Sequence, residues 1–136
     1  MSAVSKTILA IDPGREKCGV AVVSRSGILA KQVVATTKLA AEIGKLCDIY
    51  PVDVLIMGNG TTSKMARLQI TAAFPDMPLQ ICDEYRTTDA AKIRYWQENP
   101  PNGWRRFLPT TMQVPPVPVD DYVAVLLAER YFIKNP

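Results

Sequence analysis

The sequence predicts an α/β domain built on a mixed five-stranded sheet, three antiparallel strands followed by two parallel ones, with helices flanking it. Three observations predict it. Three apolar runs open the chain, separated only by short turn sequences. The hydrophobic period then switches between helix-like and strand-like. Two later apolar runs are joined through helical segments, and crossovers of that kind give parallel pairing.

Residues 6–12 (KTILAID) read as a buried strand ending on a carboxylate. Pro13-Gly14 opens a turn in which Gly14 is free to take a positive φ. Residues 18–23 (CGVAVV) form a second strand, SRSG a tight connection, and residues 28–35 a third strand. Leu39, Ile43 and Leu46 then fall at helical spacing within residues 38–49. Residues 53–57 (DVLIM) are a short apolar strand, broken by Gly58, Asn59 and Gly60. A helix follows, capped by Thr61, Thr62 or Ser63, with Met65, Leu68 and Ala72 on its buried face.

Residues 79–82 (LQIC) form the fifth strand and, like DVLIM, are apolar enough for burial on both faces. A helix over 88–97 starts at Thr87 or Thr88 and places Trp96 in the core. The segment 98–118 holds six prolines, so no regular element runs through it. A helix over 119–133 directs Val119, Val123, Leu126, Leu127 and Tyr131 to the core. The order β-β-β-α-β-α-β-α-loop-α is that of the ribonuclease-H-like fold, with residues 1–136 as one domain.

Composition narrows the chemistry. Hydrophobic residues make up 48% and charged residues 21% of 136 residues, as in a globular protein. No apolar run approaches the ~20 residues that span a bilayer, and MSAVSKT lacks the apolar stretch of a signal peptide. The expectation is a soluble, cytoplasmic protein without a membrane partner. The net charge of +3 permits a nucleic-acid partner without requiring one. Cys18, Cys47 and Cys82 are odd in number and widely spaced, and read as small buried residues. The chain contains no histidine. A Ser-His-Asp triad, a Cys-His pair and a His-ligated zinc are therefore excluded.

The acids that remain have a common address. In an open α/β sheet the ligand site lies beyond the carboxyl ends of the parallel strands. Asp12 ends the first strand, Glu84 follows the fifth, and Asp120 and Asp121 start the final helix. Clustered carboxylates repel unless a cation neutralises them. Oxygen-only donors favour Mg²⁺ or Mn²⁺. A pair of such ions ~4 Å apart activates water and stabilises the leaving oxygen in phosphodiester cleavage. Each acid also has an ordinary use: Asp12 as a turn residue before Pro13-Gly14, Asp120 and Asp121 as helix caps, and Glu84 as a solvated loop acid.

Nucleic-acid contacts fall on the neighbouring segments. Thr61, Thr62 and Ser63 offer hydroxyls and backbone N–H groups to a phosphate at a helix start, and Lys64 and Arg67 extend that contact. The alternative is a plain capped turn. Arg15 and Lys17 flank Asp12, where a solvated turn is the other reading. Trp104, Arg105 and Arg106, with Phe107, combine stacking rings and cations as single-strand binders do. Those rings serve equally well to cover a sheet edge.

Three motifs then carry a resemblance. IDPGREKCGVAVV resembles the opening motif of the YqgF/RuvX-like family, Holliday junction resolvases and pre-16S rRNA processing nucleases of ribonuclease-H-like fold; Asp12, Gly14, Lys17, Gly19, Val20 and Ala21 match. DEYRTTDAA resembles the second acidic motif through Asp83, Glu84, Thr87, Thr88 and Ala91. VDDYVAVLLAERYF resembles the C-terminal motif through Asp120 and Ala124. The resemblance covers nearly the whole chain in order, and implies Asp12, Glu84 and Asp120 as a catalytic, metal-binding triad with Asp121 as a further ligand or the cap. Where the family has Arg after Asp-Glu this chain has Tyr85, with Arg86 one place later as a phosphate contact. IMGNGTTS is closer to the equivalent domain of Tex-type transcription accessory proteins.

The leading expectation is a Mg²⁺- or Mn²⁺-dependent endonuclease, with two ions, acting on structured RNA or branched DNA as a monomer or homodimer. A non-catalytic nucleic-acid-binding module in transcription or recombination is the alternative. An ASKHA-like phosphotransferase is a third reading; such enzymes need two domains around a nucleotide, and the length of this chain allows one.

Overall fold

β1 (Thr7–Asp12) is apolar at every position but its ends because it is central and covered on both faces. It pairs antiparallel with β2 (Lys17–Ser24) and parallel with β4 (Val54–Gly58). β3 (Gly27–Ala35) extends the sheet beyond β2, and β5 (Leu79–Cys82) lies parallel to β4. The strand order is β3-β2-β1-β4-β5. The computed structural model describes residues 7–60, 63–82, 87–100 and 120–134. The mixed sheet and the element order follow the expectation from sequence.

The period-2 alternation of β1 sorts two cores. Leu9 and Ile11 face the layer of α1 (Leu39–Ile49) and α2 (Ser63–Ala73), where they meet Leu39, Ile43, Leu46, Ala66 and Ile70. Ile8 and Ala10 face α3 (Thr87–Glu98) and α4 (Asp120–Lys134). Leu9, Ile11, Leu55 and Ile56 are fully buried, and burial of each such side chain contributes roughly 1.5–3 kcal/mol. α4 is buried on several sides at once: Tyr122, Val123, Ala124, Val125, Leu127, Ala128 and Tyr131 are all inside, because the sheet lies on one flank and α3 on another.

Four expectations are corrected. α2 turns a different face inward: Met65 is 75% and Leu68 61% exposed, Ala72 is exposed, and Ala66 and Ile70 are buried in their place. The phase is set by Gln69, whose amide bonds to the backbone of Thr36 and Ala40. β5 is an edge strand, not buried on both faces, and Ile81 is 42% exposed. Of the cysteines Cys18 is buried, whereas Cys47 and Cys82 are half-buried. Gly14 is required by close approach: a Cβ there would fall well inside contact distance of the Lys17 carbonyl oxygen. The positive φ belongs to Gly27, at 141°, in the β2–β3 turn that Ser24 and Ser26 close by a 2.7 Å hydrogen bond.

α3 ends where the Asn99 backbone N–H and side-chain amide both donate to the Tyr95 carbonyl, at 2.8 and 3.1 Å. Val119 and residues 101–118 of the proline-rich segment lie outside the described residues. Trp96 packs half-buried against the α4 core, edge-on to Tyr95 at 5.1 Å.

Candidate functional site

Asp12 is the last residue of β1 and stands half-buried in register with Gly19. The alternation that sends Ile8 and Ala10 toward α4 puts Asp12 on that same face. Pro13 is buried directly after it. The turn that follows is tied to the end of β3. The Thr36 hydroxyl donates to the Gly14 carbonyl at 2.9 Å, and the Thr36 N–H donates to the Glu16 carbonyl at 2.9 Å. The Cys18 sulfur lies 3.4 Å from the Thr36 hydroxyl, beneath the turn. Arg15 and Lys17 are exposed on it.

α4 brings the second acidic position. Lys31 of β3, which pairs with Ala21 and through it with Ala10, donates to Asp121 at 3.2 Å. At the other end of α4, the Arg25 guanidinium sits 4.9 Å from the Phe132 ring centre. Arg25 lies in the β2–β3 turn, at the amino end of β1. α4 therefore runs antiparallel to β1, and Asp120, its first residue, lies toward the edge that carries Asp12. Asp121 is engaged elsewhere: one carboxylate oxygen holds Lys31 and the other accepts the Tyr122 N–H at 2.9 Å.

The third acid follows β5, whose Cys82 is in register with Gly58 of β4 at the same carboxyl edge. Glu84, two residues on, lies outside the described residues, as do Arg86, Thr61, Thr62, Trp104, Arg105 and Arg106. Burial pushes the Cys82 thiol above its ordinary pKa, with Lys134 pulling partly back. Among the described residues, no three His, Cys, Asp or Glu side chains form a metal-holding group.

The start of α2 lies beyond the end of β4, where the Ser63 N–H donates to the Gly60 carbonyl at 3.0 Å. Lys64 and Arg67 are exposed on that helix. Gln69, one turn further, donates to the Thr36 carbonyl at 3.2 Å and accepts from the Ala40 N–H at 2.9 Å. Thr36, Gln69, Cys18 and Lys31 were not legible as site residues, because each acts through partners remote in sequence.

No protein-family model and no curated protein sequence matches the chain. Solved structures do. Thermus thermophilus RuvC in complex with a Holliday junction substrate aligns with TM-score 0.61 at 14% identity, over 96% of this chain and 96% of that one. A second Thermus thermophilus RuvC structure aligns with TM-score 0.56 at 12% identity, over 95% and 96%. Among the described residues no helix is long and apolar enough to cross a membrane. With its sheet order, its two helical layers and these neighbours, the chain has the ribonuclease-H-like fold.

Proposed function

We propose that this protein is a divalent-metal-dependent endonuclease that hydrolyses nucleic-acid phosphodiesters, with branched DNA or structured precursor RNA as its substrate class. The observation that carries the reading is the placement of Asp12 at the carboxyl end of the central strand, with α4 starting toward the same edge. Thermus thermophilus RuvC, solved in complex with a Holliday junction substrate, shares the fold over nearly its whole length, which supports the choice of substrate. The motif resemblance to YqgF/RuvX-like proteins adds pre-16S rRNA as the RNA candidate.

The donors available fit a hard cation: Asp12, Glu84 and Asp120 offer carboxylate oxygens, and the chain has no imidazole. When bound, Mg²⁺ or Mn²⁺ would activate the attacking water and stabilise the leaving oxygen. Arg15 and Lys17 stand exposed beside Asp12, where they attract the phosphate to be cut. Lys64 and Arg67 offer further phosphate contacts. Asp121, neutralised by Lys31, orients the start of α4 rather than holding the ion.

The test is a cleavage panel of four-way junction DNA, duplex DNA, single-stranded RNA and precursor-rRNA hairpins with Mg²⁺ or Mn²⁺, beside Asp12→Asn. Metal-dependent cutting that the variant lacks supports the proposal. No cutting of any substrate, together with no Mn²⁺ binding by calorimetry, overturns it in favour of a non-catalytic binding module.

A further inference from the structure

The turn that carries Asp12 is held by side chains that belong to neither the acidic set nor the basic one. Thr36 reaches it twice, through its hydroxyl to the Gly14 carbonyl and its N–H to the Glu16 carbonyl, each at 2.9 Å. Its own carbonyl accepts the Gln69 amide at 3.2 Å, and Gln69 is fixed in turn by the Ala40 N–H at 2.9 Å. The Cys18 sulfur, fully buried, packs 3.4 Å from the Thr36 hydroxyl.

These bonds join four elements. The β1–β2 turn, the end of β3, the start of α1 and the middle of α2 meet at one threonine and one glutamine. Ordinary hairpin turns need no such bracket, since the β1–β2 register already closes the pair. The bracket instead fixes the carbonyls of Gly14 and Glu16 in the turn just after Asp12, where Pro13 is buried and Gly14 lies too close to the Lys17 carbonyl to admit a side chain. The same bracket ties α2, the helix that carries Lys64 and Arg67, to that turn.

On the nuclease reading proposed above, we infer that Thr36 and Gln69 are positioning residues: they lock the Pro13–Gly14 turn and so hold the Asp12 carboxylate in its metal-binding pose relative to the phosphate-binding helix α2. Neither touches substrate. Thr36 acts through the Gly14 carbonyl, and Gln69 acts through Thr36. Displacement of a reacting group by about 1 Å costs on the order of 10²-fold in rate, so a loosened turn is read in turnover before it is read in folding.

The experiment uses the full chain and compares Thr36→Val, Thr36→Ser and Gln69→Leu with the wild type, well below the melting temperature. Three quantities are measured: Mn²⁺ affinity by calorimetry, kcat and KM on a synthetic four-way junction or whichever substrate the wild type cuts, and amide exchange across residues 14–17. Thr36→Val is expected to lower kcat by about 10–100-fold, weaken Mn²⁺ binding and speed exchange in the turn, with KM nearly unchanged. Thr36→Ser keeps the hydroxyl and restores all three. Gln69→Leu carries the test if Thr36→Val does not fold, and is expected to move the same quantities by less.

Wild-type kcat, Mn²⁺ affinity and turn exchange in the folded variants, with only a lowered melting temperature, would reduce the bracket to a fold staple and overturn the inference alone. A wild-type chain that neither binds Mn²⁺ nor cuts sinks the nuclease reading and this inference together.

Discussion

The Lys31 ammonium lies 3.2 Å from the Asp121 carboxylate and 4.3 Å from the centre of the Tyr122 ring, clamping β3 to the first turn of α4. Partial burial alone would lower the Lys31 pKa, but the charge and hydrogen bond of Asp121 outweigh it and the net shift is upward. A carboxylate so paired is a poor candidate for a metal. Asp121→Asn is therefore expected to cost about 0.5–1 kcal/mol of stability, the usual worth of a partly exposed pair, and to leave Mn²⁺ affinity unchanged. Asp120→Asn is expected to abolish Mn²⁺ binding. Calorimetry on the two variants separates the neighbours, and equal losses would place Asp121 in the ligand set.

Asp12→Asn is expected to abolish cutting while leaving the stability of the metal-free protein equal or slightly higher, because removing one of several like charges relieves their repulsion. Melting curves with and without Mn²⁺ check it. A marked loss of stability without metal would make Asp12 a structural hydrogen-bond acceptor.

Gly14→Ala is expected to destabilise the fold by about 1–3 kcal/mol, since the new methyl group collides with backbone and cannot move aside. Gly27→Ala meets open space, yet sits at a φ of 141° that side chains rarely adopt. It too is expected to lose stability, by strain alone, of order 1–3 kcal/mol. Urea unfolding of both variants measures the two costs.

The inward face of α2 is open to a direct check. Ile70→Ala is expected to cost about 2–4 kcal/mol as a buried truncation. Met65→Lys and Leu68→Lys, on exposed positions, are expected to change stability by less than about 0.5 kcal/mol. The reverse ranking would mean the helix packs in the phase that its sequence spacing suggests.

Burial, and then the neighbouring Asp48, push the Cys47 thiol above its ordinary value of 9.0. As pH rises the unfolded chain loses this proton first. The contribution to stability is complete below the unfolded pKa and is lost as pH climbs through the folded one. The melting temperature is expected to fall more steeply as pH rises through and above 9.0 in the wild type than in Cys47→Ala. Parallel slopes would show that the thiol titrates alike in both states.

Much of this architecture was legible because burial leaves a local imprint. β1 and β4 read as strands since both faces demand apolar residues, and Leu39, Ile43 and Leu46 mark the inner stripe of α1. α2 was misphased for a physical reason. Met65, Leu68 and Ala72 satisfy helical spacing as well as Ala66 and Ile70 do, and the choice is made by Gln69 bonding to residues about thirty positions away. LQIC looked central because apolar content does not distinguish an edge strand from an inner one. Asp12 was visible as a carboxylate closing a strand. Thr36 was not, since its bond to Gly14 spans 22 positions and follows no pattern.

The order of the chain has a consequence for biosynthesis. Among the described residues every strand precedes α4, so the sheet can pair on the ribosome while its Tyr122–Tyr131 plug is still unmade. One greasy flank then stays open to solvent, a hazard that chaperones exist to cover. On the nuclease reading the active centre lacks Asp120 throughout that interval, and cutting waits until the last helix has docked.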